Sequence, residues 1–186
     1  MLKINEIFNS IQGEGCRAGV PATFIRLSGC NLRCAFCDTD HSEYKLMSAQ
    51  EVVSKVNSPY IVITGGEPLM PGSVNGVDEL LSCLPHRAQV EIETNGCFPA
   101  PRHTADLTVS SKTPYDSLAI HAALELKLLY PYLPGCAPKD FKKFNAEYQF
   151  IQPVYGTGYD EVIQEVRRLG NPWRLSVQLH KLIGVR

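Results

Sequence analysis

The sequence lacks a surplus of either charge and has no long apolar run. Its 186 residues carry 18 Lys and Arg against 19 Asp and Glu, a formal net charge of -1. Nucleic-acid-binding domains concentrate positive charge, so the composition argues against a nucleic-acid partner and favours a small-molecule ligand. The apolar stretches are too short for a transmembrane helix, which predicts no membrane partner. The N-terminal segment also lacks the apolar core of a signal peptide, so we expect a cytoplasmic protein.

Cysteine, by contrast, is frequent. Seven cysteines in a chain expected to be cytoplasmic indicate metal or redox chemistry rather than disulfides, and an odd number cannot all pair. Three of them, Cys30, Cys34 and Cys37, lie in GCNLRCAFCDTD, residues 29–40. The others lack ligand spacing and are predicted to be core or surface thiols: Cys16, Cys83, Cys97 and Cys136.

Short apolar runs alternate with segments of helical periodicity. Strands are predicted at residues 22–27, 60–64, 89–93, 107–109, 124–129, 148–152 and 175–179. A capping box of Ser48 and Glu51 predicts a helix to about residue 57. Further helices are predicted at residues 78–84 and at 159–169, before Gly170. Residues 130–145 are rich in Pro, Gly and Lys and predict a loop.

This alternation indicates parallel β/α units. A complete barrel of eight such units usually needs about 250 residues. The chain has 186. We therefore expect one α/β domain over residues 1–186, built as an incomplete, open TIM-like β/α barrel.

The three clustered cysteines follow the spacing C-x3-C-x2-C. Because iron–sulfur clusters are usually held by four cysteines, three thiolates would leave one iron of a [4Fe–4S] cluster open to an external ligand. S-adenosylmethionine (SAM) can bind there through its amino and carboxylate groups, beside a one-electron reductant. The alternative is a structural zinc site in which His41 joins the cysteines.

Two features resemble the radical SAM superfamily. Phe36 precedes the third cysteine, and the next predicted strand ends in ITGGEP, residues 63–68, similar to the superfamily's GGEP motif. Gly65 and Gly66 would let the backbone approach a ligand closely, although a β-to-α turn would also use them. The resemblance implies a shortened barrel of the radical SAM type that binds the SAM amino group at GGEP.

Longer segments resemble one family of that superfamily, 7-carboxy-7-deazaguanine synthase. They are NEIFNSIQGEG (5–15), residues 19–41, IVITGGEP (61–68), VEIETNG (90–96), TVSSK (108–112), FIQP (150–153) and WRLSVQLHKLIGVR (173–186). The resemblance implies conversion of 6-carboxy-5,6,7,8-tetrahydropterin to 7-carboxy-7-deazaguanine with loss of ammonia, on the route to queuosine and related 7-deazapurines.

The same resemblance assigns site residues by motif. Substrate residues would be Ile11, Gln12, Gly13, Glu14, Arg26, Thr64, Gln152, Pro153, His180 and Arg186. SAM would contact Phe36, Cys37, Asp38, Gly65, Gly66, Glu67, Glu93, Asn95, Ser110, Ser111 and Lys112, with Ser111 standing where the family usually has proline. Cys30, Cys34 and Cys37 would hold the [4Fe–4S] cluster, and Thr39 would bind Mg2+.

Two of these assignments carry a specific chemical expectation. The planar guanidinium of Arg26 suits the substrate carboxylate, although an ion pair with a protein carboxylate is the alternative. Arg186 would offer its terminal carboxylate to an amine of the pterin ring.

The resemblance further implies flavodoxin or ferredoxin as reductant, and a homodimer. Two other functions are compatible with the cysteine loop: an activase that installs a glycyl radical on a partner enzyme, and a non-enzymatic zinc-binding module. The QGEG segment and the tail argue against the activase, and GGEP argues against the zinc module.

Overall fold

The computed structural model describes residues 1–186, and its strands form one nine-stranded sheet. The strands are β1 (Leu2–Ile11), β2 (Pro21–Leu27), β3 (Lys45–Met47), β4 (Tyr60–Gly65), β5 (Gln89–Thr94), β6 (Asp106–Ser111), β7 (Ala122–Tyr130), β8 (Asn145–Pro153) and β9 (Trp173–Leu175). The α-helices are α1 (Ala49–Val53), α2 (Val74–Cys83), α3 (Tyr159–Leu169) and α4 (Leu179–Ile183). Single 3₁₀ turns occupy Gly15–Arg17, Tyr115–Ser117 and Pro138–Phe141. None of the helices combines the length and apolar character that crossing a membrane requires.

The strands follow the order β3-β1-β2-β4-β5-β6-β7-β8-β9. From β2 to β9 every neighbouring pair is parallel, whereas β1 runs antiparallel to both β2 and β3. The edge strands β3 and β9 do not pair with each other. The sheet is therefore not closed, as the expected open barrel requires.

Alternating side chains give the parallel strands two different faces. In β7, Leu126 and Leu128 belong to the apolar core, while Glu125 and Lys127 point to the opposite, inner face. The larger of two apolar clusters contains 23 buried residues and joins the outer face of the sheet to α1, α2 and α3, while the smaller contains four, among them Phe24 and Val62. Burial of this outer face stabilises the fold and leaves the polar inner face for a ligand.

The local signals for helices are confirmed, with shifted ends. Ser48 and Glu51 form the expected capping box at the start of α1. The helix ends at Val53 rather than near residue 57, because the Lys55 and Val56 amides donate to carbonyls three residues back, as in a 3₁₀ turn. α2 begins at Val74, four residues earlier than predicted. α3 begins and ends at the predicted residues, and Gly170 follows it. Residues 131–144 form the expected loop apart from one 3₁₀ turn, whereas residues 130 and 145 at its predicted ends belong to β7 and β8.

Two features of the sheet differ from the sequence prediction. β1 and β3 were not predicted, because antiparallel strands before the first β/α unit lie outside the alternating pattern. The strand predicted at residues 175–179 is wrong beyond Leu175. After β9, the Ser176 hydroxyl donates to Gln152 Oε1 at 2.9 Å, and the Leu179 N–H donates to the Gly13 carbonyl at 2.8 Å. The Ser176 contact still holds the chain beside β8, and the Leu179 contact then directs it out of the sheet and into α4.

Arg17 fills the amino-terminal end of the barrel. Its guanidinium donates to Glu91 at 3.1 Å and to Asp106 at 2.6 Å, and it lies 5.5 Å from the centroid of the Tyr60 ring. The Tyr60 hydroxyl also donates to Glu91. This partly exposed ion-pair cluster covers one end of the barrel. Parallel α/β barrels bind their ligands at the other end, where the carboxyl ends of the strands lie.

Candidate active site

A cavity of about 270 Å³ lies at the carboxyl ends of the parallel strands. All ten substrate residues assigned by resemblance line it, together with the three clustered cysteines and Thr39. The predicted SAM residues in its wall are Phe36, Cys37, Asp38, Gly65, Gly66, Glu93, Asn95, Ser110 and Lys112. Residues that are far apart in sequence therefore meet around one space.

Glu67 and Ser111 are the predicted SAM residues that do not line the cavity, and both are fully buried. Glu67 accepts hydrogen bonds from the Asn95 N–H and the Thr94 hydroxyl, each at 2.7 Å, although burial still raises its pKa. The Ser111 hydroxyl donates to the Thr113 carbonyl at 2.7 Å. These side chains brace the ends of the strands, and their contact with SAM stays a prediction.

The cysteine loop follows the carboxyl end of β2 and forms one side of the cavity. Its three thiols are free. The Leu32 N–H donates to Cys30 Sγ at 3.4 Å, and the Cys37 N–H donates to the Cys34 carbonyl at 3.1 Å. Hydrogen bonds to sulfur are a feature by which proteins tune iron–sulfur clusters. The loop thus presents three thiols to the cavity on a tightly turned backbone.

The zinc site considered from sequence finds no support in the side-chain positions. No group of three His, Cys, Asp or Glu side chains lies close enough to hold one metal ion. His41 Nδ1 instead accepts from the Gly29 N–H at 3.4 Å. In a cubane cluster each thiolate binds a different iron, so the sulfurs need not converge on one point.

The two glycines at the end of β4 allow that strand to contact the cysteine loop. Gly65 has a φ of 117°, in the region that favours glycine. A Cβ on Gly66 would lie 1.7 Å from the Gly29 carbonyl oxygen. The Glu67 N–H donates to that same oxygen at 2.8 Å. The glycines therefore serve backbone packing as well as lining the cavity.

Arg26 lies between a protein carboxylate and the candidate magnesium ligand. Its Nε donates to Glu6 at 2.8 Å, and its Nη1 donates to the Thr39 hydroxyl at 3.3 Å. Glu6 also binds the guanidinium of Arg186, which lies 5.1 Å from the Phe8 ring centroid. Arg26 thus makes the protein ion pair, while its Nη2 has no protein partner and remains for a ligand.

A buried ion pair forms the floor of the cavity. Lys127 Nζ donates to the Glu14 carboxylate, and the Lys127 side chain is only 3% exposed. Burial would raise the pKa of Glu14, but the Lys127 ammonium and the Gln178 amide lower it to about 2. Burial would lower the pKa of Lys127, but Glu14 and Glu93 raise it above its ordinary value. Both groups are therefore charged at neutral pH.

Glu93 lies beside this pair on β5. Its carboxylate accepts from the Thr64 hydroxyl at 2.7 Å and from Gln12 Nε2 at 3.2 Å. Burial raises its pKa, and the Glu14 carboxylate adds to the increase against the effect of Lys127. Through these two hydrogen bonds, Glu93 connects the QGEG segment to β4.

Lys112 and Ser110 form the opposite wall. The Lys112 ammonium folds back and donates to both the carbonyl and the hydroxyl of Ser110, each at 2.7 Å. Burial lowers the pKa of Lys112, and the nearby Lys127 lowers it further. Asn95 Nδ2 donates to Asn31 of the cysteine loop at 2.8 Å, which ties β5 to that loop.

The tail after β9 closes over the cavity. Gln178 donates to Glu14 at 2.8 Å, and Lys181 donates to Asp38 of the cysteine loop at 2.9 Å. Burial lowers the pKa of His180, although Glu14 opposes that shift. The imidazole is therefore neutral at neutral pH and can donate one hydrogen bond while accepting another.

Gly13→Ala is expected to reduce kcat/KM by about a hundredfold, because small displacements of groups that orient the substrate have effects of that size. A Cβ on Gly13 would lie 1.9 Å from His180 Nδ1, so the tail would have to move. Steady-state kinetics and iron content test this. Iron content should be unchanged, and Gly158→Ala, which meets no atom within 4 Å, is the matched control. Equal activity of both variants would contradict the prediction.

Sequence reasoning missed Lys127 and Glu6 as parts of the site. Lys127 lies on the inner face of β7, where the alternating sequence ELKLL offered a signal. Glu6 lies on β1, and its pairing with Arg26 follows from the antiparallel register of β1 and β2. Glu6 lies within the segment NEIFNSIQGEG, but the resemblance assigns it no role, and Lys127 lies outside every segment that carries the resemblance.

Comparisons with known proteins agree with this geometry. The family model of the radical SAM superfamily matches residues 24–124. A 7-carboxy-7-deazaguanine synthase from Bacteroides thetaiotaomicron is 40% identical and covers 100% of both chains. One from Methanospirillum hungatei is 34% identical and covers 99% of this chain and 86% of its own.

The fold has a solved counterpart. The crystal structure of QueE from Escherichia coli superimposes with a TM-score of 0.74 at 25% identity, over 96% of this chain and 94% of that one. This likeness confirms the predicted open barrel of the radical SAM type. The chain therefore belongs to the radical SAM superfamily and, within it, to the 7-carboxy-7-deazaguanine synthase family.

Proposed function

We propose that this chain converts 6-carboxy-5,6,7,8-tetrahydropterin to 7-carboxy-7-deazaguanine with loss of ammonia, in 7-deazapurine biosynthesis. The observation that carries the proposal is the single cavity that joins the cysteine loop to the polar residues of the QGEG segment and the tail. The family relatives, 40% identical over the full chain in the case of Bacteroides thetaiotaomicron, support the same reaction.

The residues present fit the cofactors that this chemistry needs. Cys30, Cys34 and Cys37 would hold the [4Fe–4S] cluster, because all three thiols are free and face the cavity. When bound, the cluster and SAM supply one-electron reduction and radical abstraction of hydrogen from the substrate. Gly66, Asn95 and the wall at Ser110 would surround SAM on the same side of the cavity.

The cavity edge near β2 suits an anionic group. Arg26 Nη2 has no protein partner, and the Arg26 guanidinium lies beside the Thr39 hydroxyl. A Mg2+ ion at Thr39 would have few protein ligands, which is the usual arrangement for this ion. A substrate carboxylate between Arg26 and Mg2+ would offset both positive charges and be held in one orientation.

The opposite part of the cavity suits the pterin ring. Ring amides and amines need both donors and acceptors, which Gln152, Gln178 and the neutral imidazole of His180 provide. The tail covers the cavity through its contacts with Gly13, Glu14 and Asp38. These residues bind and orient the substrate and exclude water from the reacting atoms.

Several wider assignments belong to the same proposal. Turnover would need an external one-electron reductant, flavodoxin or ferredoxin, and the chain would act as a homodimer. One domain over residues 1–186 is supported by the single sheet that contains all nine strands. A cytoplasmic location is supported by seven cysteines that are all free thiols.

Anaerobic reconstitution with iron and sulfide, followed by incubation with SAM, dithionite and the pterin, tests the proposal. Mass spectrometry should detect 7-carboxy-7-deazaguanine, and hydrogen from C6 of the pterin should appear in 5′-deoxyadenosine. SAM cleavage with unchanged pterin would contradict the proposed substrate and favour a glycyl-radical activase. A colourless protein that binds zinc would contradict the whole site.

A further inference from the structure

Lys127 is a buried cation at the cavity that no sequence motif assigns. It lies in the middle of β7, and its side chain is 3% exposed. Its Nζ donates to Glu14, which lies 113 residues earlier in the sequence. An unpaired ammonium at such a position would be strongly unfavourable, so the pair forms as a unit.

The Glu14 carboxylate connects separate parts of the chain. Its Oε2 binds Lys127, while its Oε1 accepts from Gln152 Nε2 at 3.1 Å and from Gln178 Nε2 at 2.8 Å. Gln152 is held at its other end, because its Oε1 accepts from the Ser176 hydroxyl at 2.9 Å. One carboxylate therefore orients two amides that line the cavity, one on β8 and one at the start of the tail.

The charge on Lys127 keeps this carboxylate available as an acceptor. Glu14 and Glu93 are both partly buried close to Lys127, and without a cation the two carboxylates would repel each other in a region of low polarity. Lys112 also lies nearby, but its ammonium is bound to Ser110. Lys127 is thus the cation that contacts Glu14 directly.

We propose that Lys127 is a positioning residue, which fixes Glu14 so that Gln152, Gln178 and the tail take the arrangement needed to bind the substrate. Lys127 need not contact the substrate, because its effect passes through Glu14. The part of this inference that concerns pterin binding rests on the proposed function. The part that concerns the tail is independent of the proposed function, because Lys127 and Gln178 both donate to Glu14 and neither hydrogen bond involves the substrate.

The tail depends on Glu14 at its first turn. Gln178 is the residue before α4, and the next residue, Leu179, donates its N–H to the Gly13 carbonyl at 2.8 Å. Glu14 and Gly13 are neighbours, so the side-chain bond and the backbone bond hold the same point of the tail. Loss of the oriented carboxylate would therefore loosen α4 before it disturbs the sheet.

Hydrogen exchange of the reconstituted enzyme tests the role of Lys127 in the tail. In Lys127→Met, amides of residues 178–185 should exchange at least about tenfold faster, because a charge-assisted hydrogen bond on which the tail depends is lost. Lys127→Arg, which keeps the charge, should restore part of the protection. Lys143→Met is the matched control, because Lys143 is exposed and does not line the cavity.

Kinetics give the second readout. The KM for the pterin should rise by about tenfold or more in Lys127→Met, because misplaced orienting groups have effects of this order. The iron content should stay as in the unsubstituted protein. A residue that only stabilises the fold would instead accelerate exchange in every strand and lower the iron content as well.

The outcomes separate this inference from the proposed function. If the unsubstituted protein leaves the pterin unchanged, the proposed function fails, and the exchange data still decide the role of Lys127. If it turns over the pterin and Lys127→Met keeps both the tail protection and the KM, the inference alone is overturned. Should Lys127→Met not fold, Gln178→Leu breaks the same link from the tail side, and unchanged exchange in that variant also overturns the inference.

Discussion

Cys34→Ala is expected to abolish formation of 7-carboxy-7-deazaguanine. Cys34 is one of three thiols on the loop that faces the cavity, and the fold offers no fourth cysteine among the residues that line it. Two thiolates would leave two irons of the cluster without protein ligands, so the cluster would not be retained. Iron content and visible absorption after anaerobic reconstitution measure this loss, alongside product formation.

Cys83→Ala is the matched control for this experiment. Cys83 is also a free, partly buried thiol, but it ends α2 and does not line the cavity. Its removal should leave iron content, colour and activity unchanged. A Cys34→Ala protein that kept full iron content and activity would remove the cysteine loop from the mechanism.

The sequence predicted the parallel part of the barrel because each strand carries its own signal. Residues 60–64 are a short, mostly apolar run and residues 89–93 alternate between polar and apolar side chains, and the structure places β4 and β5 there with one residue added at the carboxyl end of each. The capping box at Ser48 and the glycine after α3 are equally local. Because these signals are local, each element can be predicted from its own segment of the sequence.

The tail is a segment whose structure could not be predicted from its local sequence. Residues 175–179 alternate in polarity like a strand, yet Leu179 starts α4. The conformation of this segment depends on hydrogen-bond partners far away in sequence, namely Gln152 for Ser176 and Gly13 for Leu179. A segment whose conformation depends on contacts across the barrel cannot be assigned from its own periodicity.

The candidate site divides in the same way. The cysteine loop and the glycines of GGEP are contiguous motifs, so their place at the cavity followed from the spacing and the resemblance. Glu6 and Lys127 become part of the site only through strand register and the curvature that brings β7 towards the QGEG segment. The positions of such charges depend on three-dimensional neighbours rather than on a motif.

Gly66→Ala is expected to disrupt the cysteine loop and with it the binding of the cluster and SAM. The added Cβ would lie 1.7 Å from the Gly29 carbonyl oxygen and 2.4 Å from its carbon. Both atoms are backbone, and hydrogen bonds from Gly66 to Leu27 and from Glu67 to Gly29 hold the two segments together. Neither segment can turn aside as a flexible side chain would, so the loop that carries Cys30 must move.

The expected loss in kcat/KM is at least about a hundredfold, since a shift of about 1 Å in an orienting group has that effect. Overpacking of this kind should also lower the free energy of unfolding by about 2 kcal/mol. Gly72→Ala is the matched control, because its Cβ would come no closer than 3.8 Å to the Met70 side chain. Iron content, SAM affinity and chemical denaturation, measured on both variants, test the contact directly. If Gly66→Ala matched Gly72→Ala in all three, the close approach of β4 to the cysteine loop would not be what holds the site together.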